Sequence, residues 1–358
     1  MALSGNKGEW SEPYVLLKLL AEQKLQLGDE NLKIISNLVY PIVKIIRFEK
    51  SNKTEFSYEQ NIVVVNYDKK TIKIPIKLFL ETSRSLFEKI KVSKGSVSFP
   101  DIEKFLNTIN VYNSKASSLD KTDITIQIHD IKTLLEPILG FSIKSQLGKA
   151  STLVNASGAT NFKYKINGSL DESKLSEINN EELFAKRFEL LKQYGCTLQF
   201  IDADKEIFKL NLQTIDTHFP EVMGRILLLY YANADSKQNT VKNWIEQLTK
   251  LNPLNYNLKF KHNIYEMKMK KFLTDYALGM RAATVWNGIY EATGGYIIVR
   301  NDGELICYHF YYKNQFEDYL LANTKLETAS TSKHEFGDIY KEGNEYFLKL
   351  NLQIRFLI

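Results

Sequence analysis

The stretch "KTDITIQIHDIKTLLEPILGFSIKSQLG", residues 121–148, decides how the rest of the chain is read. Its first half alternates Ile124, Ile126 and Ile128 with Thr125, Gln127 and His129, the period-two pattern of a strand with one buried face. "EPILG" supplies turn chemistry, after which Ser142, Lys144 and Gln146 share one face and Phe141, Ile143, Ser145 and Leu147 the other. The segment predicts an antiparallel hairpin whose polar face carries a cation at its centre. Closing it over residues 135–140 would bring Asp130 near Lys144, Ser142 and Gln146. Asp123, seven residues upstream and on the opposite face of a regular strand, takes that place if the hairpin is longer.

Composition narrows the class. At 358 residues the chain can hold two domains, or one large domain with insertions. A net charge of +5 from 47 basic and 42 acidic residues permits a polyanionic partner without demanding one. Only Cys196 and Cys307 occur, each in an apolar setting, which excludes a disulfide framework and a cysteine zinc site. The five histidines show no metal-ligand spacing, so a metal would be held by carboxylates. With no signal-peptide core and no long apolar run, the expected location is the cytoplasm, with no membrane partner.

Around the hairpin the pattern is mixed. "EWSEPYVLLKLLAEQKLQLG" reads as an amphipathic helix with Pro13 in its first turn and Gly28 past its end. "VYPIVKIIRFEK", "QNIVVVNY" and "KTIKIPI" read as strands of a small antiparallel sheet, with a turn in "NYDKKT", and two helices follow over residues 76–112. "KASTLVNAS" reads as a short helix or irregular connection and "TNFKYKI" as a strand. Residues 171–193 and 220–250 are helical by period, "GGYIIVRNDGELICYHFYY" is a hairpin with "NDG" at its tip, and "NEYFLKLNLQIRFLI" is a closing strand. The expected fold class is mixed α/β (α+β), a central sheet flanked by helices. Its regions are 1–115 (first helix and small sheet), 116–260 (core with the hairpin) and 261–358 (β-rich).

"LGKAS" imitates a phosphate-binding loop, but seven residues separate Gly140 from Gly148 and Ala150 follows Lys149, so nucleotide hydrolysis is excluded. The hairpin offers different chemistry. A carboxylate beside a lysine on one polar sheet face suits metal-assisted phosphodiester cleavage, with Mg2+ on the carboxylate and the lysine steadying the attacking water or the developing charge.

With these residues set out, the hairpin resembles the D-x(n)-[DE]-x-K signature of PD-(D/E)XK nucleases, with "SIK" in place of E-x-K. Ser142 cannot supply the second negative charge. "KGEWSE" is similar to the K-G-x-x-x-E arrangement of resolvase-type nucleases, which selects Glu12 over Glu9 on the first helix. A first-turn acid favoured by the helix dipole is the plain alternative for Glu12. A solvated lysine on an open face is the corresponding alternative for Lys144.

The set "GNKGEWSEPYVLLKLL", "FSIKSQLG", "STLVNASGATNF", "GGYIIVRNDGELICYHFY" and "LNLQIRF" resembles type II restriction endonucleases of the HpaII kind over nearly the whole chain. The resemblance implies a restriction-endonuclease-like core with a C-terminal β-rich DNA-recognition region. It also implies Mg2+-dependent double-strand cleavage at CCGG and a cognate methyltransferase that protects the host. Asp130 and Glu12 would be the metal ligands and Lys144 the catalytic cation, with Ser142 and Gln146 beside them. Arg281, Lys333, His334 and Arg355 are the candidates for contacting double-stranded DNA, as base readers or as phosphate clamps. A palindromic target favours a homodimer. The rival is a DNA-binding protein on the same scaffold whose nuclease site has decayed.

Overall fold

A computed structural model of the chain describes residues 3–49, 52–113, 122–233 and 239–357. It divides into two compact units, one running to Ser151 and taking in Tyr290–Tyr319, the other made of Thr152–Ile289 and Leu320–Leu357. The expected border at 115/116 lies outside the described residues. The second expected border, at 260/261, is not where the units divide, because the β-rich tail is shared between them.

The first unit is built on a nine-stranded sheet. Its order is Lys24–Gly28, Leu305–His309, Gly295–Val299, Ile138–Ser145, Ile124–Ile128, Ile34–Glu49, Asn52–Glu59, Ile62–Tyr67 and Lys70–Pro75. The three strands read as a small sheet are thus its outer part, joined by Asn52–Glu59, which the sequence reading missed. The 16-residue strand Ile34–Glu49 pairs through its first part with Lys24–Gly28 and through its second with both Asn52–Glu59 and Ile124–Ile128. Register shifts between Gln26 and Gly28 and between Ile42 and Lys44 give it the bend this needs.

Local chemistry explains the elements. Asp68 and Lys69, both at positive φ (46° and 62°), make the tight turn expected in "NYDKKT". In "NDG", Gly303 at φ 85° lets its N–H reach Arg300 O at 2.9 Å. The first helix, Lys7–Glu22, begins earlier than expected, because Asn6 and Glu9 form a reciprocal cap: Glu9 N donates to Asn6 Oδ1 at 3.1 Å and Asn6 N to Glu9 Oε2 at 2.9 Å. Pro13 therefore lies inside the helix, where it removes one backbone donor. Gly28 is not a helix terminator. It ends a strand at which a Cβ would stand 2.2 Å from Ile306 Cγ2.

One face of the sheet packs on Lys7–Glu22 and Ile76–Val92 through Trp10, Leu17, Leu20, Phe79, Leu86, Ile126, Phe141 and Ile297, all fully buried. This core supplies the unit's stability through apolar area removed from water.

The second unit holds a four-stranded antiparallel sheet, in the order Thr197–Ala203, Asn161–Asn167, Glu345–Asn351 and Ile339–Glu342. A three-stranded sheet is made of Thr324–Leu326, Ile354–Phe356 and Thr152–Val154. The last of these lies in "KASTLVNAS", a strand where the sequence predicts a short helix or irregular connection. The closing strand is really two, in different sheets, because the chain breaks at buried Leu352, whose N–H turns to Thr160 O at 2.9 Å. The helical segments split as well, into Glu172–Asn180 and Phe184–Gln193, and into Phe219–Ala232 and Val241–Leu251, with residues 234–238 outside the description. No described helix is long and apolar enough to cross a membrane.

Trp10 is 0% exposed, and its Nε1 donates to Val97 O at 2.9 Å. Trp10→Ala should lower the unfolding free energy by about 3–5 kcal/mol in urea titrations. Phe48→Ala, at a site 62% exposed, should stay within about 0.5 kcal/mol of the parent.

Candidate active site

Strand pairing builds the site. Ile124–Ile128 runs antiparallel to Ile138–Ser145 with Ile124 opposite Phe141 and Gln127 opposite Ile138, so Asp123 stands across from Ser142. Residues directly opposite in such a pair project from the same face. Gly295–Val299 lies parallel on the other side, with Tyr296 beside Ser142 and Ile298 beside Lys144. Asp123, Ser142, Lys144 and Tyr296 therefore share a face, while Phe141, Ile143 and Ser145 turn towards the helix.

Hydrogen bonds tie the three polar groups into a chain. Lys144 Nζ donates to Ser142 Oγ at 2.9 Å, and Ser142 Oγ donates to Asp123 Oδ2 at 3.1 Å. The same carboxylate oxygen accepts the Ile143 N–H at 2.6 Å, while Asp123 Oδ1 takes no hydrogen bond from any described residue. Ser142 is 3% exposed and Tyr296 2%. The Lys144 ammonium lies 5.1 Å from the centroid of the Tyr296 ring, which in turn meets Phe316 edge-on. Burial pushes the Lys144 pKa below the ordinary lysine range, against the opposing pull of Asp123 and Glu12.

Glu12 reaches this neighbourhood through a contact between buried Ser11 and half-buried Ser145. Ser11 Oγ lies 2.7 Å from its helical acceptor Lys7 O and 2.7 Å from Ser145 Oγ, pinning the first helix to the strand that carries Lys144. Glu12 follows Ser11 and Lys144 precedes Ser145, so this contact sets both. Gln146 continues the ladder, its N–H on Val299 O at 2.9 Å, and is half-buried.

Asp130 is not brought to Lys144. The turn falls at residues 129–137, ahead of the expected "EPILG", and Asp130 builds it: Asp130 Oδ1 accepts the Lys132 N–H at 2.9 Å, and Asp130 O the Leu134 N–H at 2.7 Å. The acid that reads as a ligand in the sequence is a turn-former at the far end of the hairpin, and Asp123, the alternative that a longer hairpin offers, takes the place beside Ser142. The signal available in the sequence was "HDIKT", an aspartate two residues before a backbone donor.

Of the DNA-contact candidates, Arg355 on the strand Ile354–Phe356 is paired at 2.8 Å with Glu327, which follows the neighbouring strand Thr324–Leu326. Lys333 is exposed on the short helix Thr331–His334. The His334 carbonyl accepts from Asn161 Nδ2 at 3.0 Å, and that of Arg281 from Asn211 Nδ2 at 3.0 Å.

The arrangement provides one carboxylate with an open oxygen, a second acid acting on the same cation, and a desolvated ammonium. Among the described residues no group of three or more His, Cys, Asp or Glu could hold a metal. A divalent ion that keeps several waters and needs only one or two protein carboxylates fits this set.

Comparison with known proteins places the whole chain. A family model described as HpaII restriction endonuclease matches residues 6–356. The type II restriction enzyme HpaII of Haemophilus parainfluenzae is 46% identical over 358 residues, covering 99% of this chain and 99% of that protein. No solved structure matches.

Near Asp130, buried His309 accepts the Tyr311 N–H on Nδ1 at 2.9 Å, and its Nε2 has no partner among the described residues. Burial lowers its pKa from 6.5 to about 4, against the pull of Asp130. Between these values the unfolded chain binds a proton that the folded chain refuses, so stability should fall as pH drops from 6.5 towards 4. His309→Phe should flatten that fall, by at most about 1.4 kcal/mol per pH unit, in urea midpoints taken across the range.

Proposed function

The chain belongs to the HpaII restriction endonuclease family and is a type II site-specific deoxyribonuclease, and from this premise we propose that Asp123, Ser142, Lys144 and Glu12 form its cleavage site. The observation that carries the reading is the chain of hydrogen bonds from Lys144 through Ser142 to Asp123.

In this reading the core is a variant PD-(D/E)XK nuclease, with Asp123 as the first acid and Ser142 standing where the second usually is. Ser142 is uncharged but not idle. It accepts from the ammonium and donates to the carboxylate, so it fixes their separation while leaving Asp123 Oδ1 open. Asp123 Oδ1 and Glu12 would hold Mg2+, which when bound polarises the scissile phosphate and makes a water a better nucleophile. Lys144 Nζ orients that water and meets the negative charge that grows on the phosphate in the transition state. The Tyr296 ring holds the ammonium without neutralising it. Gln146, on the same face beyond Lys144, is a further group for orienting water. Asp130 has no part in this chemistry.

The target is CCGG in double-stranded DNA, by likeness to the family, with Arg281, Lys333 and His334 among the groups meeting the duplex and Arg355 left to its ion pair. A palindrome asks for two copies of the site, which favours a homodimer. The enzyme acts in the cytoplasm beside a methyltransferase that shields the host's own sites. The decayed-nuclease alternative rested on Ser142 lacking a charge, and the bridging role of its hydroxyl removes that ground.

Plasmid DNA with Mg2+ should give discrete fragments. Asp123→Asn and Lys144→Ala should each lower the cleavage rate by about a thousandfold or more while leaving binding of a CCGG duplex in Ca2+ within a few-fold of the parent. Asp130→Asn should cut at close to the parental rate, and loss of cleavage in that variant with retention in Asp123→Asn would reverse the assignment.

A further inference from the structure

We propose that the loop Arg281–Ile289 of the second unit is a preformed DNA-reading element, held in its reading shape by the side chain of Asn211. Asn211 is 2% exposed on the helix Glu206–Gln213, and its amide is spent on this loop's backbone. Its Nδ2 donates to Arg281 O at 3.0 Å and to Thr284 O at 2.8 Å, and its Oδ1 accepts the Trp286 N–H at 2.9 Å. The loop also closes on its own base. A Cβ at Gly279 would stand 2.8 Å from Trp286 Cζ3 and 2.7 Å from Ile289 O, so only glycine admits that approach.

What this fixed backbone displays is unusual for a surface loop. Val285 is 76% exposed and Ile289 66%, and Ala283, Thr284, Asn287 and Gly288 are exposed with them. From Arg281 to Tyr290 there is no carboxylate. A segment entering a groove of a duplex passes between two rows of phosphates, where an acid would be repelled. Small residues allow the backbone close to the base edges, apolar side chains contact carbon atoms of bases and sugars, and Asn287 can donate and accept. Ordering such a loop in advance spares the entropy of ordering it on contact. The loop thus deepens the endonuclease reading, on which it rests, by saying where sequence is recognised.

Binding can be measured in Ca2+ with three duplexes: one containing CCGG, one with a single base pair of it changed, and one unrelated. The surface double variant Val285→Ala/Ile289→Ala should lose about tenfold or more of its affinity for the CCGG duplex while holding the unrelated duplex within about twofold. Asn211→Ala, checked for folding by its thermal transition, should lose the same discrimination and raise KM more than it lowers kcat. Unchanged preference for CCGG in both variants would overturn the assignment. So would a change in sedimentation with unchanged DNA affinity, which would make the loop a contact between subunits. A parent protein that prefers CCGG without cutting it would instead overturn the cleavage reading and leave the loop's role standing.

Discussion

The register between Ile124–Ile128 and Ile138–Ser145 is the constraint on which the rest depends. The backbone of Asp123 donates to Phe141 O at 2.9 Å while its side chain receives the Ile143 N–H at 2.6 Å, so a single residue both starts the ladder and fixes the pairing. Side chains alternate along a strand, and a slip of one residue would exchange every face. Phe141 would leave the core, Ser145 would lose Ser11, and Lys144 would turn away from Tyr296. Core packing and site assembly are thus two readings of one register, and neither can drift without the other.

That coupling also explains how a site with few charges can be ordered. A buried ammonium is costly unless other groups compensate it. Here Ser142 accepts one of its hydrogens, the face of Tyr296 offers its negative quadrupole, and the fields of Asp123 and Glu12 favour the charged form. None of these neutralises the cation by direct ion pairing, so its charge is not cancelled within the protein. A second acid at position 142 would pair with Lys144 directly, and a serine instead relays the contact to Asp123.

Much of the fold was legible locally. The hairpins at Asp68–Lys69 and around Gly303, the helix Ile76–Val92 and the strand Asn161–Asn167 follow from turn chemistry and periodicity, which act over a few residues. The misreadings have separate causes. "EPILG" carries Pro and Gly and looks like the turn, but the chain turns earlier because Asp130 caps the backbone donors at Lys132 and Leu134 with its side chain and carbonyl. Pro13 and Gly28 look like helix punctuation, yet the Asn6–Glu9 cap outweighs the first and close packing on Ile306 explains the second.

The sequence by itself determined the alternation that makes the strands, the lysine on a polar face, the near absence of metal-binding His and Cys, and a set of segments matching one nuclease family along the chain. Those follow from residue identity and short spacing. Only the tertiary structure decided which aspartate meets that lysine, because the choice between Asp123 and Asp130 depends on where a hairpin closes. The helix bearing Glu12 likewise docks by a contact between Ser11 and Ser145, 134 residues apart. Periodicity reports which way a side chain faces but not what faces it, since that is set by register and by packing between segments distant in the chain.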